Sequence, residues 1–424
     1  MRKYISDEKR YGSRILADGI CISNNTKITG LNNNDIIIGS SGSGKTGGYV
    51  IPNIQRIESS FVVTDTKSQL FKGFVYELEK RGYDVYKIDF VNPEDSYGYN
   101  PLSAIRRYPD GSYSEKDVIS LAKTIVPKLD ITEPFWEISA ANYLAFIIGL
   151  CLETQPIEKQ NMVQVCALHR DFCSKVNELY VLDYVDQHPD SFIAKRYKQI
   201  MSIQSADKMW SSILGFVNIA LEPFDFSEAK SIFAARDSFD IKTLGKSKTA
   251  VFLNISDTDR YFDVLVNIFY TQTLQILCAE ADKSEGGRCK VPVRIFMDDF
   301  ASGTKIPDFD KIISVVRSRD IYVSIIAQSL SQLESMYDKA ASKTILNNCD
   351  HILYLGCQDM DTAEFIGTRA GKVPETILSM PRNKAYLIRA GERAVLVNKV
   401  RPYSTSLNYM TNIQNKELQN DVDM

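Results

Sequence analysis

Between residues 35 and 46 the chain carries the sequence Asp35-Ile36-Ile37-Ile38-Gly39-Ser40-Ser41-Gly42-Ser43-Gly44-Lys45-Thr46. The apolar residues predict a short strand, and the residues after it match the pattern G-x-x-x-x-G-K-[ST] ahead of a helical stretch. Glycines let backbone N–H groups curl around a phosphate without clashes from Cβ atoms, so we predict a phosphate-binding loop (P-loop) here. In it Lys45 would reach the β- and γ-phosphates, and the Thr46 hydroxyl would face Mg²⁺. A flexible Gly/Ser loop is the alternative, and the preceding strand argues against it.

A second apolar strand ends in two carboxylates, in the run Ile295-Phe296-Met297-Asp298-Asp299. Ligands of parallel α/β sheets bind at the carboxyl ends of the strands, which is where this pair is expected to lie. Asp298 is predicted to hold Mg²⁺ through water, and Asp299 to polarise the attacking water. Alone, the pair would fit a helix cap equally well, but the P-loop earlier in the chain favours the metal and catalytic roles.

Polar residues follow and precede the next apolar run, 322–327. Gln328 ends this run, where its amide can contact a γ-phosphate or the attacking water; a polar strand end is the alternative. Arg317 and Arg319 lie between the two strands. An arginine there can stabilise the phosphate of a neighbouring subunit in the transition state, and a solvated loop charge is the other interpretation.

Strand-like and helical patterns alternate at both ends of the chain, which predicts an α/β domain with a mostly parallel sheet. The predicted strands are 35–38, 61–65, 85–90, 249–255, 293–297, 322–327 and 351–355, with a closing hairpin of 385–388 and 394–397. From residue 114 to about 228 the pattern is mostly helical, which predicts an inserted all-α domain. The predicted domains are a nucleotide-binding domain in two parts, 1–112 and 236–410, an all-α domain over 113–235, and a flexible tail over 411–424.

The composition is that of an ordinary globular protein of 424 residues, with 44% hydrophobic and 24% charged residues and a net charge of −3. That charge excludes a protein that coats nucleic acid with its whole surface, but not DNA contacts confined to a pore or groove. The eight cysteines and three histidines lack the clustered spacing of structural zinc sites. The N-terminal residues have no apolar signal core, and the longest uncharged apolar run, 138–152, is shorter than the roughly 18–20 residues of a spanning helix. We therefore expect a cytoplasmic chain in which 138–152 is a buried core helix.

Several further stretches accompany the P-loop. They are Tyr49-Val50-Ile51-Pro52-Asn53, Val62-Val63-Thr64-Asp65-Thr66-Lys67, Tyr99-Asn100-Pro101-Leu102, Pro134-Phe135-Trp136-Glu137, Asp298-Asp299-Phe300-Ala301, Ile306-Pro307-Asp308-Phe309, Arg317-Ser318-Arg319, Gln328-Ser329-Leu330-Ser331-Gln332-Leu333 and Asn347-Asn348-Cys349. In this order they resemble the type IV secretion coupling proteins, the conjugative DNA-transfer ATPases of the TraG/TraD type. The resemblance covers nearly the whole chain, from about residue 12 to residue 401, and is far more specific than the P-loop alone.

The resemblance implies a RecA-like motor domain with an inserted all-α domain, ATP and Mg²⁺ as cofactors, and a homo-hexamer around a channel. It implies ATP-driven export of a relaxase–DNA complex or a protein substrate. The implied partners are a relaxase or relaxosome, single-stranded or double-stranded DNA, components of a type IV secretion channel and a membrane-anchored protein. The implied location is the inner face of the cell membrane.

The same resemblance implies roles for individual residues. The implied nucleotide-binding residues are Gly39, Ser40, Ser41, Gly42, Ser43, Gly44, Lys45, Thr46, Asp65 and Lys67. The implied metal and catalytic residues are Thr46, Asp298 and Asp299, with Lys45 beside them, Arg317 as an arginine that acts on a neighbouring subunit, and Gln328 as a sensor of the γ-phosphate.

Three departures from the family pattern leave the activity open. The family usually has Asp-Glu where this chain has Asp298-Asp299, and the shorter side chain retracts the carboxylate by about 1.3–1.5 Å. Thr66, Ser68 and Gln69 replace the more usual Pro, Gly and Glu. The N-terminal membrane helices of the family are missing from this sequence, so it is either a piece of a longer protein or a form without these helices that relies on a membrane-anchored partner.

Three functions therefore compete. The chain is a DNA-translocating motor of conjugation, or a nucleotide-regulated receptor that docks cargo and hydrolyses ATP slowly, or a translocase of the broader FtsK/HerA kind. The acidic composition and Asp299 favour the receptor a little. The stretch Pro134-Phe135-Trp136-Glu137 and the helical insertion argue against the third function.

Overall fold

The computed structural model describes residues 10–66, 68–126, 135–204, 207–235, 238–256, 258, 262–298, 300 and 305–401. Its strands are β1 (Ser13–Ala17), β2 (Ile20–Ser23), β3 (Asp35–Gly39), β4 (Ser60–Thr66), β5 (Asp84–Asp89), β6 (Thr249–Ile255), β7 (Val293–Met297), β8 (Ile321–Ala327), β9 (His351–Gly356), β10 (Lys384–Arg389) and β11 (Val395–Asn398). Each strand that the sequence predicts is confirmed, with ends that differ by at most one residue. The hairpin of β1 and β2 was not predicted.

Among the described residues, nine strands form one sheet in the order β11-β10-β9-β3-β8-β7-β4-β6-β5. The pairs β9–β3, β3–β8, β8–β7, β7–β4 and β4–β6 are parallel, and β10 pairs antiparallel with both β9 and β11. Ile36, Ile37 and Ile38 are completely buried, as expected of a parallel strand covered on both faces. The mostly parallel α/β sheet is thus confirmed, and the carboxyl ends of its parallel strands meet at one edge.

Helices follow most strands and fill the middle of the chain. The α-helices are Thr26–Thr29, Ile51–Arg56, Gln69–Lys80, Glu115–Ile125, Phe135–Thr154, Met162–Cys173, Glu178–Gln187, Phe192–Gln204, Asp207–Leu221, Ala229–Phe233, Asp263–Lys283, Phe309–Val315, Leu330–Asn347, Met360–Ala370 and Pro374–Leu378. In the described part of 115–233 these helices follow one another without an intervening strand, which agrees with an inserted all-α region.

The chain divides into two compact units. The described residues within 1–87, 241–260 and 274–424 form the first unit, and those within 88–240 and 261–273 form the second. Residues 88–112, predicted from the sequence to belong to the nucleotide-binding domain, fall in the second unit by this division. The predicted domain boundaries stay a prediction, and the predicted tail over 411–424 lies outside the described residues.

The helix Phe135–Thr154 lies in the second unit and is its most apolar element. Its 20 residues are long and apolar enough to cross a membrane, yet 72% of the residues in its 18-residue apolar window are buried inside the protein. The rings of Tyr143 and Phe146 pack on Phe172, at centroid distances of 5.9 Å and 5.3 Å. The predicted core helix over 138–152 is confirmed, and it extends beyond the uncharged run at both ends.

A buried ionic cluster lies at the start of β3. We call it the Asp35 cluster, and its members are Asp35, Arg14, Arg294, His351 and Tyr49. Arg14 donates to the Asp35 carboxylate from Nε (2.8 Å) and Nη2 (2.9 Å), and Arg294 donates from Nη1 (3.1 Å). The Tyr49 hydroxyl donates a further hydrogen bond (2.7 Å). Burial would raise the pKa of Asp35, but Arg14, the hydrogen bond with His351 and Arg294 outweigh it and hold this pKa well below its ordinary value.

Candidate functional site

The P-loop lies at the carboxyl end of β3 and leads into a helix whose first turn, Thr46–Val50, is π-helical. Gly42 and Gly44 have φ values of +74° and +96°, a region that glycine occupies without strain. A Cβ added to Gly39 would lie 2.3 Å from Ser43 Oγ, so the loop closes tightly on its own first residue. These three positions explain why the loop is rich in glycine.

Lys45 is folded onto the start of the loop. Its Nζ donates to the carbonyl oxygens of Gly39 (2.8 Å) and Ser40 (3.2 Å), and the residue is only 9% exposed. Within the described residues it pairs with no carboxylate. The loop therefore holds a cation whose charge is available to an anionic ligand.

The side chains of Thr46 and Asp298 meet at the carboxyl edge of the sheet. Thr46 Oγ1 donates to Asp298 Oδ2 (2.8 Å), although the two residues are 252 positions apart. Thr64, in β4, fixes the backbone of Asp298: its hydroxyl accepts from the Asp298 N–H (3.2 Å) and lies 3.3 Å from the Asp298 carbonyl oxygen. Hydroxyl and carboxylate oxygens are ligands that Mg²⁺ prefers, so the residues present fit this metal ion.

Asp65 lies at the end of β4, and its carboxylate is directed at the next helix. Oδ1 accepts from the Leu70 N–H (3.1 Å) and Oδ2 from the Phe71 N–H (2.8 Å). Asp65 is 1% exposed. The structure thus gives this predicted nucleotide-binding residue a clear contact with a helix N-terminus. The predicted roles of Lys67 and Asp299 fall on residues that lie outside the described ones.

Gln328 and Arg317 are both exposed. Gln328 follows β8, the strand between β3 and β7, so it lies at the same edge of the sheet as the P-loop. Arg317 Nη2 donates to the Gly30 carbonyl (2.9 Å). Arg319, in contrast, is held by the Asp282 carboxylate (2.8 Å) and the Val315 carbonyl (2.9 Å). Of the two arginines, Arg317 has the fewer fixed contacts in the described part of the chain.

Residues 15–373 match the family model described as Type IV secretory system Conjugative DNA transfer. The chain belongs to this family. The matched region contains the P-loop, both carboxylates of 298–299, Arg317 and Gln328. The resemblance inferred from the sequence motifs is therefore confirmed.

Individual relatives are distant. The chain is 21% identical over 342 residues to the protein VirD4 of Rhizobium rhizogenes. This alignment covers 80% of this chain and 49% of that protein. It is 22% identical over 342 residues to VirD4 of Agrobacterium fabrum, covering 79% of this chain and 49% of that protein. The chain thus spans about half the length of these relatives.

Solved structures show the same fold. The plasmid coupling protein TrwB in complex with ADP and Mg²⁺ superposes with a TM-score of 0.63 at 14% identity, covering 89% of this chain and 88% of TrwB. TrwB with the non-hydrolysable ATP analogue ADPNP gives a TM-score of 0.65 at 14% identity, covering 92% and 89%. VirB4 of Thermoanaerobacter pseudethanolicus gives 0.55 at 14% identity, covering 93% and 99%. The predicted fold, a RecA-like P-loop domain with a helical domain, is confirmed.

Two residues at the site of this family member were not identified from the sequence. Thr64 lies in a stretch that the resemblance singles out, but without a role; the signal available was a hydroxyl residue directly after the apolar run Phe61-Val62-Val63. Lys399 lies beyond the matched region and in no motif, and its side chain nevertheless reaches the P-loop, where Nζ donates to the Ser43 carbonyl. Only the folded chain brings Lys399 to the loop.

Proposed function

We propose that this protein binds ATP with Mg²⁺ at the P-loop and uses hydrolysis to pass a relaxase–DNA or protein substrate to a type IV secretion channel. One observation carries the nucleotide part: Thr46 Oγ1 lies 2.8 Å from Asp298 Oδ2. A P-loop hydroxyl and an aspartate at the end of a nearby strand are the side chains that hold Mg²⁺ in P-loop NTPases. The TrwB complexes with ADP and Mg²⁺ and with ADPNP support the same chemistry on this fold.

The side chains at the site would have different roles in nucleotide binding and hydrolysis. Bound Mg²⁺ would neutralise charge on the β- and γ-phosphates. Backbone N–H groups of the P-loop would cradle the phosphates. Lys45, whose Nζ lies against the first residues of the loop, would donate hydrogen bonds to the same phosphates. Thr64 keeps Asp298 in place through the backbone of that residue. Asp299 is proposed to orient the attacking water and Gln328 to sense the γ-phosphate.

The remaining parts of the proposal rest on family membership. Asp65 and Lys67 are proposed to lie beside the nucleotide. A relaxase or relaxosome, DNA, channel components and a membrane-anchored protein are the proposed partners, and a homo-hexamer at the inner face of the cell membrane is the proposed active form. The family model over 15–373 supports this role in conjugative transfer.

ATP turnover tests the proposal, measured alone and with single-stranded or double-stranded DNA. We expect Mg²⁺-dependent hydrolysis that DNA stimulates. Lys45→Ala should abolish turnover and leave the Tm without nucleotide nearly unchanged, because the contacts of Lys45 are with carbonyls of the loop. Lys27→Ala is the matched control, since Lys27 is an exposed lysine of the same unit.

Two outcomes would change the conclusion. Undiminished hydrolysis by Lys45→Ala would remove the P-loop from the reaction. Slow hydrolysis that neither form of DNA stimulates would favour the nucleotide-regulated receptor over the DNA motor, in line with the shorter carboxylate of Asp299.

A further inference from the structure

Lys399 follows β11, at the far end of the described chain, and its side chain lies against the P-loop. Nζ donates to the Ser43 carbonyl (3.2 Å) and to the Leu355 carbonyl in β9 (2.6 Å). The backbone N–H of Lys399 donates to the Asn383 carbonyl (2.9 Å), which fixes the base of the side chain. All these residues belong to the first unit.

The backbone beside Lys399 also packs closely on the nucleotide-binding region. The Val400 carbonyl oxygen would lie 3.1 Å from a Cβ added to Gly48, in the first turn of the helix after the P-loop. The P-loop also contacts β9 directly, since the Ser40 N–H donates to the Gly356 carbonyl at the end of that strand (3.0 Å). The P-loop is therefore supported by β9 and by the segment that follows β11.

The contact with Ser43 restrains one peptide of the loop. The Ser43 carbonyl and the Gly44 N–H belong to the same planar trans peptide, so they point in opposite directions. An ammonium that holds the Ser43 carbonyl on the side of β9 directs the Gly44 N–H to the opposite side, toward the phosphate of a P-loop complex. Gly44, with φ of +96°, has no Cβ to limit its conformation, so an external contact is needed to hold this peptide.

Lys399 also changes the charge around the loop. Lys45 lies on the carbonyls of Gly39 and Ser40, and Lys399 on that of Ser43. Two ammonium groups on the backbone of one short loop favour an anionic ligand. Burial lowers the pKa of Lys399, and a bound anion would oppose this because it stabilises the charged form.

We propose that Lys399 is a positioning residue of the nucleotide site, which holds the Ser43–Gly44 peptide in the orientation that binds the phosphates of a nucleoside di- or triphosphate. This inference rests on the proposed function and extends it to a residue that follows the family match, which ends at residue 373.

The dissociation constant for ADP tests the inference, measured by calorimetry on the full chain with EDTA present, so that metal coordination does not contribute. Lys399→Met retains a long apolar side chain but loses the charge and the donors. We expect it to weaken ADP binding about ten- to a hundredfold, the scale of one or two charge-assisted hydrogen bonds. Lys399→Arg, which keeps a cation with several donors, should restore most of the affinity.

Lys384→Met is the matched control, because it also removes a lysine side chain, from the neighbouring strand β10. The Nζ of Lys384 donates to Asn398 Oδ1 (2.7 Å) and not to the P-loop. The control should bind ADP like the wild type, and all variants should keep the wild-type Tm without nucleotide.

Three outcomes would contradict the inference. An ADP affinity of Lys399→Met within about threefold of the wild-type affinity would overturn this inference and leave the proposed function standing. Equal losses in Lys399→Met and Lys399→Arg would also overturn it, since packing would then be responsible. A wild-type protein that does not bind ADP, with or without Mg²⁺, would overturn the proposed function as well.

Discussion

The carboxylate of Asp65 connects β4 to the helix Gln69–Lys80. It accepts from the N–H groups of Leu70 and Phe71, in the first turn of that helix. Ser68, which precedes the helix, has φ of +52° and provides no side-chain cap, so Asp65 satisfies donors that the helix start leaves without intrahelical partners. Its negative charge also faces the positive end of the helix dipole. We infer that a large part of the role of Asp65 is to fix the chain next to the P-loop.

Asp65→Ala should lower the free energy of unfolding by about 0.5–2 kcal/mol, the usual effect of removing a helix cap. The dissociation constant for ADP should stay within about threefold of the wild-type value. Urea unfolding and calorimetry measure the two quantities, and Glu79→Ala, an exposed carboxylate in the same helix, is the control. A large loss of ADP affinity at unchanged stability would instead support the direct nucleotide contact that the family resemblance implies.

The Asp35 cluster joins several elements of the first unit at the end of the sheet opposite the P-loop. Its members come from β1, β3, β7, β9 and the turn Thr46–Val50. The ion pairs are almost fully buried, with side-chain exposures of 2% for both Arg14 and Asp35. Removing one partner from such a cluster leaves an uncompensated buried charge, which is strongly destabilising.

Asp35→Asn should therefore lower the free energy of unfolding at pH 7 by about 3–5 kcal/mol. Because the folded-state pKa of Asp35 is lowered, the stabilisation is fully present above the pKa of an unfolded aspartate, about 3.9, and is lost as the pH falls further. The difference between wild type and variant should thus stay constant from pH 7 to 5 and shrink below about pH 4. Urea unfolding at several pH values measures it, with the exposed Asp18→Asn as control. A difference that grows on acidification would contradict the ionised state of Asp35.

Catalysis by the assembled protein is proposed to involve two subunits. Arg317 is exposed, and its hydrogen bond within the described residues is to the Gly30 carbonyl and not to the P-loop. An arginine that stabilises a neighbour's transition state contributes about 10³–10⁵ in rate in known phosphoryl-transfer enzymes. Arg317→Ala should therefore lose most ATP hydrolysis and keep its affinity for ADP. Turnover and calorimetry under conditions where the wild type assembles measure this.

Mixing two inactive variants gives a sharper test of the shared site. A mixture of Arg317→Ala with Lys45→Ala should regain some turnover, because one subunit supplies an intact P-loop and the other supplies the arginine. The ratio of the two is varied, since a strictly concerted ring would mask the recovery. Arg319→Ala is the control, as Arg319 is already bound to Asp282. Normal hydrolysis by Arg317→Ala would show that the site is not shared through this residue.

Much of the fold could be predicted because the signals are local. The strand over 35–39, the P-loop and the acidic end of β7 depend on residues that are adjacent in the chain, and apolar runs of that length mark buried parallel strands. The hairpin of β1 and β2 escaped prediction because its short strands show no clean alternation: β2 has no buried residue and β1 has three. The position of the helical insertion followed from a long stretch with few β-branched clusters.

The site itself is built from residues that lie far apart in the chain. Residue patterns identify Thr46, Asp298 and Gln328 as candidates, but the strand order β3-β8-β7-β4 is what brings them to one edge. That order follows from how buried side chains pack across the sheet, which no local periodicity specifies. The contact of Lys399 with Ser43 spans 356 residues and involves a backbone carbonyl, so no motif could mark it. The sequence thus specifies the chemistry of the P-loop and the carboxylates, while the packing of distant strands selects the residues that hold them in place.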